Sequence, residues 1–408
     1  MSAGSPLQLV TTNPPGHSRP SLLFVATVSS TVGHFLTPYA THLRELGWRV
    51  DTASSGATTD EGLRDVFDHR YELPLSRSLL DPVAMLGGYR AMAHLLRETE
   101  YDLVHVHTPI ASFVARLAVR RMPPQRRPAV VYTAHGFHFR KGGHPIANAV
   151  FAIAERLAGR WIDRLVVIND EDEAAARRHR ILPTRHLVRM PGIGVDTAWY
   201  SPSHVASEEA AAARTRLGIP VDAPVFVVVG ELSKRKRQAD AIAALAAMQH
   251  RDARLVLLGD GPTRPRLVTL VRRLGIVDRV VFAGEVNDVR PYLVMATGFV
   301  LNSDREGLAR AVMEALALEV PVAVSNARGN EELVGESGFL LRIGDVDALA
   351  GALDWLVDHQ EERRLMGQHG RERMVERYDL QIVIGLHDRL YDELLAERAM
   401  AATSGGGS

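Results

Sequence analysis

Two glutamates eight positions apart, Glu306 and Glu314, frame the stretch of this 408-residue chain where residue type and spacing bear most directly on chemistry. The segment Asn302-Ser303-Asp304-Arg305-Glu306-Gly307-Leu308 follows an apolar run of strand length, and a helical pattern starts at Ala309. Glu306 therefore belongs to the loop and Glu314 lies about two turns along the helix. From these positions Glu306 can reach a sugar hydroxyl, Gly307 and Leu308 can turn backbone N–H groups toward phosphate oxygens, and Glu314 can accept both hydroxyls of a ribose. The plainer alternative is an acid favoured near a helix N-terminus followed by an exposed helical glutamate.

A second stretch invites an anion. Gly230 ends an apolar run and is followed by Glu231, Ser233, Lys234, Arg235, Lys236 and Arg237 before a helix starting near Gln238. The positive end of a helix dipole disfavours cations, so something anionic should compensate them. The chain has three lysines against 45 arginines, and two of the three stand in this loop. A compact ammonium suits a diphosphate as a point charge, although a solvated charge run would look similar. Gly259-Asp260-Gly261-Pro262 also links an apolar run to a helix; its glycines allow close backbone approach to a ligand or simply a tight turn.

Histidines supply the third group. His105 and His107 close one apolar run, and His135, Gly136 and His138 follow another. Histidines gathered at strand ends are candidates for proton or hydrogen-bond chemistry, with His135 first and His107 next. No carboxylate or cysteine accompanies them at metal-ligand spacing.

The elements that must position these residues alternate between strand-length apolar runs and amphipathic helical stretches, the pattern of parallel sheets covered on both faces. Strands are expected at Leu22–Val28, Arg49–Thr52, Leu103–Val106, Val130–Thr133, Arg164–Ile168 and Leu187–Arg189. After a Gly/Pro/Asp-rich hinge between Pro191 and Pro202, they resume at Val225–Val229, Arg254–Leu258, Val280–Phe282, Gly298–Leu301, Val322–Val324 and Phe339–Leu341. Residues 1–20 and 403–408 read as disordered. The 48 basic and 48 acidic residues cancel, which argues against a nucleic-acid partner. No apolar run reaches the roughly 20 residues of a membrane span, no signal peptide is evident and there is no cysteine, so the cytoplasm is expected. Residues 1–200 carry 23 Lys/Arg against 18 Asp/Glu, including Arg120, Arg121, Arg126 and Arg127, which is compatible with peripheral attachment to the inner face of a membrane.

From about Leu22 to Tyr391 the chain resembles the retaining family 4 glycosyltransferases of GT-B fold, especially bacterial polysaccharide-type members. The resemblance is carried by Tyr132-Thr133-Ala134-His135-Gly136-Phe137-His138-Phe139, by Gly230-Glu231-Leu232 and above all by the Glu306 to Glu314 pattern. It implies an α/β fold of two doubly wound, Rossmann-like domains facing across a cleft. Residues 21–196, with a helix near 380–400 crossing back, would bind the acceptor, and 197–379 the donor. It implies that Glu306 binds donor sugar hydroxyls, Glu314 the ribose, and Lys236 with Lys234 the diphosphate. Gly230, Gly259, Gly261, Gly307 and Leu308 would complete the donor site, Phe282 to Val286 would hold the base through backbone, and His135 would stand near sugar and acceptor. Gly33, His107 and His138 are the acceptor-side candidates.

The activity implied is transfer of a hexose or N-acetylhexosamine from a UDP-sugar to a hydroxyl of a lipid-linked saccharide or a small molecule, without cofactor or metal. Front-face displacement is expected, with Lys236 and a helix N-terminus stabilising the departing diphosphate and the phosphate acting as base. His135, Glu306 and Lys236 form the catalytic set. A sugar-nucleotide 2-epimerase of the same fold and an inactive sugar-nucleotide binder remain as alternatives. Three departures stand out: Glu231 where many members have arginine, a single glycine in Ser29-Ser30-Thr31-Val32-Gly33, and Ala309 where Gly or Pro is common. Asp170-Glu171-Asp172 and Asp345-Val346-Asp347 match the pattern by which another glycosyltransferase fold holds manganese. Both read more simply as helix N-terminal acids, so Asp170→Asn and Asp172→Asn are expected to leave transfer near normal.

Overall fold

Each expected apolar run forms a strand in the computed structural model of the chain, which describes residues 19–76, 81–139 and 143–405. The strands are β1 (Ser21–Val28), β2 (Arg49–Ser55), β3 (Arg70–Glu72), β4 (Leu103–His107), β5 (Ala129–Ala134), β6 (Arg164–Val167) and β7 (Leu187–Arg189), then β8 (Val225–Val229), β9 (Arg254–Leu258), β10 (Val280–Gly284), β11 (Gly298–Leu301), β12 (Val322–Ser325) and β13 (Gly338–Leu341). They make a seven-stranded sheet in the order β3-β2-β1-β4-β5-β6-β7 and a six-stranded sheet in the order β10-β9-β8-β11-β12-β13. By packing, the chain divides into two compact units, Met1–Val130 and Val131–Ser408.

The six-stranded sheet shows why these sequences become central strands. Its β8 stretch Val-Phe-Val-Val-Val alternates between two cores, with Val225 and Val227 on one side and Phe226 and Val228 on the other. The same split divides Val256 and Leu258 from Leu255 and Leu257 on β9, and Phe299 and Leu301 from Val300 on β11. A strand buried on both faces needs β-branched and large apolar residues at every position, and each one fully buried contributes about 1.5–3 kcal/mol. Register is parallel and unbroken from Val225 opposite Arg254 to Val229 opposite Leu258, so all loops bearing the expected donor residues leave at the same sheet edge.

Two stretches differ from expectation. Arg70–Glu72 pairs with Thr52–Ser54 as a three-residue edge strand that no apolar run announces. Ser29 to Gly33, expected as a loop, form the helix Ser29–Phe35 directly after β1, where a Cβ on Gly33 would lie 3.6 Å from Leu63 Cδ2, an ordinary contact distance. The last helix, Leu380–Gly405, continues past Thr403, where composition suggests disorder; residues 1–18 and 406–408 lie outside the described residues. That helix follows a backbone crossing at which Val195 N–H donates to Tyr378 O and Leu380 N–H to Val195 O, both at 2.9 Å. Gly194 has φ +72°, and a Cβ there would lie 2.8 Å from Leu380 Cα, so the crossing requires glycine.

Candidate functional site

The loops after β8, β9 and β10 pack backbone to backbone. Gly230 N–H donates to Leu258 O at 2.9 Å and Gly259 N–H to Gly284 O at 2.7 Å. A Cβ on Gly259 would stand 2.3 Å from Gly230 O, and one on Gly261 2.5 Å from Leu232 O. The turn reading thus accounts for both glycines, which fix the frame of the site. Phe282 and Val286, half-buried, flank the same frame at the end of β10.

Upon this frame the cationic loop meets the acidic one. Lys234–Lys236 form one 3-10 turn, and Lys236 crosses Gly230 so closely that a Cβ there would lie 3.6 Å from Lys236 Cε. Lys236 Nζ donates to Glu306 Oε1 at 2.9 Å, and the Arg235 guanidinium donates to the same oxygen at 3.2 Å and to Arg305 O at 2.9 Å. Arg237, the only one of these residues in the left-handed region at φ +49°, binds Asp240 at 2.7 Å and Asp304 at 3.3 Å. The compensating anions are thus supplied by the chain itself: Asp304 and Glu306 from the segment between β11 and the helix Arg310–Ala317, and Asp240 from the helix Gln238–Ala247. Lys234 is exposed and lines a neighbouring cavity with Ser233 and Arg266. The buried side-chain oxygens of Ser233, Asn302 and Ser303, all in these loops, have no hydrogen-bond partner among the described residues.

Glu314 is buried on the first turns of the helix Arg310–Ala317. Its Oε1 accepts from Tyr200 Oη at 2.9 Å and from Arg310 Nε at 2.8 Å. Burial and the adjacent Glu314 carboxylate push the Tyr200 hydroxyl well above its usual range, so it stays a donor. No side chain caps this helix, and the amides of Gly307 and Leu308 donate to no other described residue. Leu308 itself packs into the core, its side chain against Gly192, leaving only its backbone to act.

His135 comes to this cluster from β5. A Cβ on Gly307 would sit 2.3 Å from His135 O, and one on Gly136 3.8 Å from both Glu306 O and Gly307 Cα, so the two loops touch through glycine. Burial and the neighbouring His387 hold the His135 imidazole at about 4, neutral near pH 7. His138 is also lowered, by burial and then by Arg305, and its ring lies 5.2 Å from that of Phe151.

The residues that hold this loop were not legible in the sequence. Asn169 caps the helix Asp170–Arg178 by accepting from Asp172 N–H at 2.8 Å. Asp172 is no exposed N-terminal acid: it is 1% exposed, and its Oδ1 accepts from Arg328 at 2.7 Å and from Phe137 N–H at 3.2 Å. Arg328 further donates to Phe137 O and Phe139 O, each at 3.1 Å, and so brackets the segment after His135. Burial pushes the Asp172 carboxyl up against the opposing pull of Arg328. The expectation that Asp172→Asn is benign is therefore replaced by a structural role for this side chain. Asp345 does what its sequence suggests, capping Val346–Asp358 through Ala348 N–H at 3.0 Å.

The remaining acceptor-side candidates belong to the first unit. His107 closes β4, 3% exposed, its ring 4.2 Å from His105 and 5.8 Å from Phe24. In that unit Arg126 donates to Glu100 and Arg97 O, and Arg127 to Met122 O and Arg120 O, so these guanidiniums are engaged locally. No group of three or more potential metal ligands occurs among the described residues.

Comparison with known proteins gives a consistent picture. The family model described as "Glycosyl transferase 4-like domain" matches residues 30–192, and that described as "Glycosyl transferases group 1" matches 210–373. The chain is 34% identical over 356 residues to EpsD of Bacillus subtilis (strain 168), a protein named as a glycosyltransferase, spanning 86% of this chain and 91% of EpsD. It is 28% identical over 293 residues to UDP-Gal:alpha-D-GlcNAc-diphosphoundecaprenol alpha-1,3-galactosyltransferase of Escherichia coli, covering 70% of this chain and 74% of that one. Its fold matches the crystal structure of Anabaena Alr3699/HepE in complex with UDP and glucose at a TM-score of 0.77, with 19% identity over 92% of this chain and 100% of that one.

Proposed function

For a chain that belongs to the family 4 glycosyltransferases of GT-B fold, we propose retaining, metal-independent transfer of a hexose or N-acetylhexosamine from a UDP-sugar to a saccharide hydroxyl, in bacterial polysaccharide assembly. The observation that carries this reading is the convergence of Lys236, Glu306 and the uncapped amides of Gly307 and Leu308 at one sheet edge, with His135 against them. A diphosphate takes Lys236 and the helix amides, where the dipole favours negative charge. Glu306, released from Lys236, accepts from the sugar hydroxyls, and Glu314, already oriented by Tyr200 and Arg310, accepts from the ribose.

In the reaction, charge grows on the leaving phosphate as the glycosidic bond to it lengthens. Lys236 and the amides therefore bind the transition state more tightly than the ground state. Neutral His135 offers one N–H to the sugar, and the phosphate oxygen on the same face takes the proton of the entering hydroxyl. A lipid-linked acceptor is favoured by the named substrate of the Escherichia coli relative.

The test is incubation with UDP-sugars and a lipid-diphosphate saccharide in excess EDTA, with the anomeric configuration of the product read by NMR. Product with the donor's α configuration supports the proposal. An inverted product, or activity abolished by EDTA and restored by manganese, overturns the mechanism. Epimerised UDP-sugar formed without acceptor would identify an epimerase instead.

A further inference from the structure

The helix Pro145–Ala158 buries only part of its apolar surface. Ile146, Val150, Ile153 and Leu157 are 71, 59, 59 and 51% exposed, and their spacing of four, three and four residues lines them along one face. Scattered exposed apolar residues are ordinary, but four in one row mark a surface that meets something. The row runs about 16 Å, too short to cross a bilayer and suited to lying in its surface.

Charge identifies the partner. The only acid of the helix, Glu155, turns inward and receives a hydrogen bond from Tyr132 Oη at 3.3 Å. The only basic residue, Arg156, is exposed beside the row. There it joins Arg178 and Arg180 in lining a cavity of about 440 Å³ that also reaches Ile153. An apolar stripe bordered by three guanidiniums suits acyl chains beneath anionic headgroups. A second copy of the chain docked about a two-fold axis would bring the same arginines face to face, which like-charge repulsion opposes.

We propose that this face docks on an anionic lipid bilayer, with Ile146, Val150, Ile153 and Leu157 entering the headgroup boundary and Arg156, Arg178 and Arg180 binding phosphates. The site differs from Arg120 to Arg127, to which the sequence alone drew attention. The proposal does not rest on the donor assignment, because vesicle binding is read with no nucleotide sugar present.

The experiment is flotation of the full chain with vesicles of phosphatidylglycerol and phosphatidylethanolamine, against vesicles of phosphatidylcholine alone. Binding to the anionic vesicles that weakens with salt is expected. Val150→Asp with Ile153→Asp should reduce it at least about tenfold, and Arg156→Ala with Arg178→Ala should remove most of its salt dependence. Both side-chain pairs face solvent, so melting temperature and UDP affinity should stay at wild-type values. Failure of wild type to float, equal flotation with phosphatidylcholine, or wild-type flotation of the double aspartate variant would each overturn the proposal. So would a dimer in light scattering that Ile153→Asp disperses while vesicle binding is absent.

Discussion

Two ion pairs of nearly equal length, Arg328 to Asp172 at 2.7 Å and Lys236 to Glu306 at 2.9 Å, stand on either side of the His135 loop. The first is the more densely bonded, although Arg328 Nε has no hydrogen-bond partner among the described residues and lies 3.5 Å from Glu171. Asp172 spends both oxygens on Arg328, Phe137 N–H and Asn169, and Arg328 adds two backbone carbonyls. In the second, Lys236 Nζ has Glu306 as its only hydrogen-bond partner among the described residues, and Glu306 Oε2 has none. A pair held by many bonds fixes geometry, while a pair with more spare donors and acceptors can exchange one another for a ligand that carries both charge and hydroxyls.

The largest effect should come from breaking the more densely bonded pair. Arg328→Ala strands a buried carboxylate and should cost about 3–5 kcal/mol of stability in urea unfolding. Arg328→Lys should recover only part, since one ammonium cannot bracket two carbonyls and a carboxylate. A loss below about 1 kcal/mol would show that the pair is no clamp. Asp172→Asn should lower stability and turnover together, and manganese should restore neither.

Lys236→Ala sharpens the contrast from the other side. Turnover should fall about 10²–10³-fold, the scale of losing one preorganised donor to a developing anion. Stability should change by less than about 1 kcal/mol, because Glu306 keeps Arg235 as a partner when the ammonium is removed. Equal damage to folding and turnover would erase the distinction between the two pairs.

A smaller effect concerns the loop between them. His135 and His387 both drop from an ordinary value of 6.5 to about 4. Between these values the unfolded chain binds protons that the folded one excludes, so stability rises with pH across the window and is lost as pH falls from 6.5 toward 4. His387→Gln should flatten that dependence in unfolding experiments. Turnover should show no His135 ionisation above about pH 5.5; an inflection near 6.5 that vanishes in His135→Gln would mean that the imidazole is charged in the reaction.

The strands and the loops that meet around Glu306 were legible because each is written locally: alternating cores in β8, β9 and β11, glycines at strand ends, lysines in one short loop. What escaped depends on distance along the chain. Tyr200 lies 114 residues from the carboxylate it orients, and Arg328 lies 156 from Asp172, with no periodicity connecting them. Asp172 also illustrates how a local rule misleads. An acid in the first helical turn has a sufficient reason on the surface, so nothing in the sequence shows that this one is turned inward. β3, three residues long with no apolar run, carries no strand signal of its own.

The central claim, that Lys236 and Glu306 hold each other in place of a nucleotide sugar, is tested most directly by calorimetric titration of UDP into wild type, Lys236→Ala and Glu306→Gln. Lys236→Ala should weaken UDP at least about tenfold by losing a charge-assisted contact. Glu306→Gln, which frees the ammonium, should bind UDP as tightly as wild type or more tightly while transferring no sugar. Parallel losses of UDP affinity in both variants, or wild-type affinity in Lys236→Ala, would contradict the account.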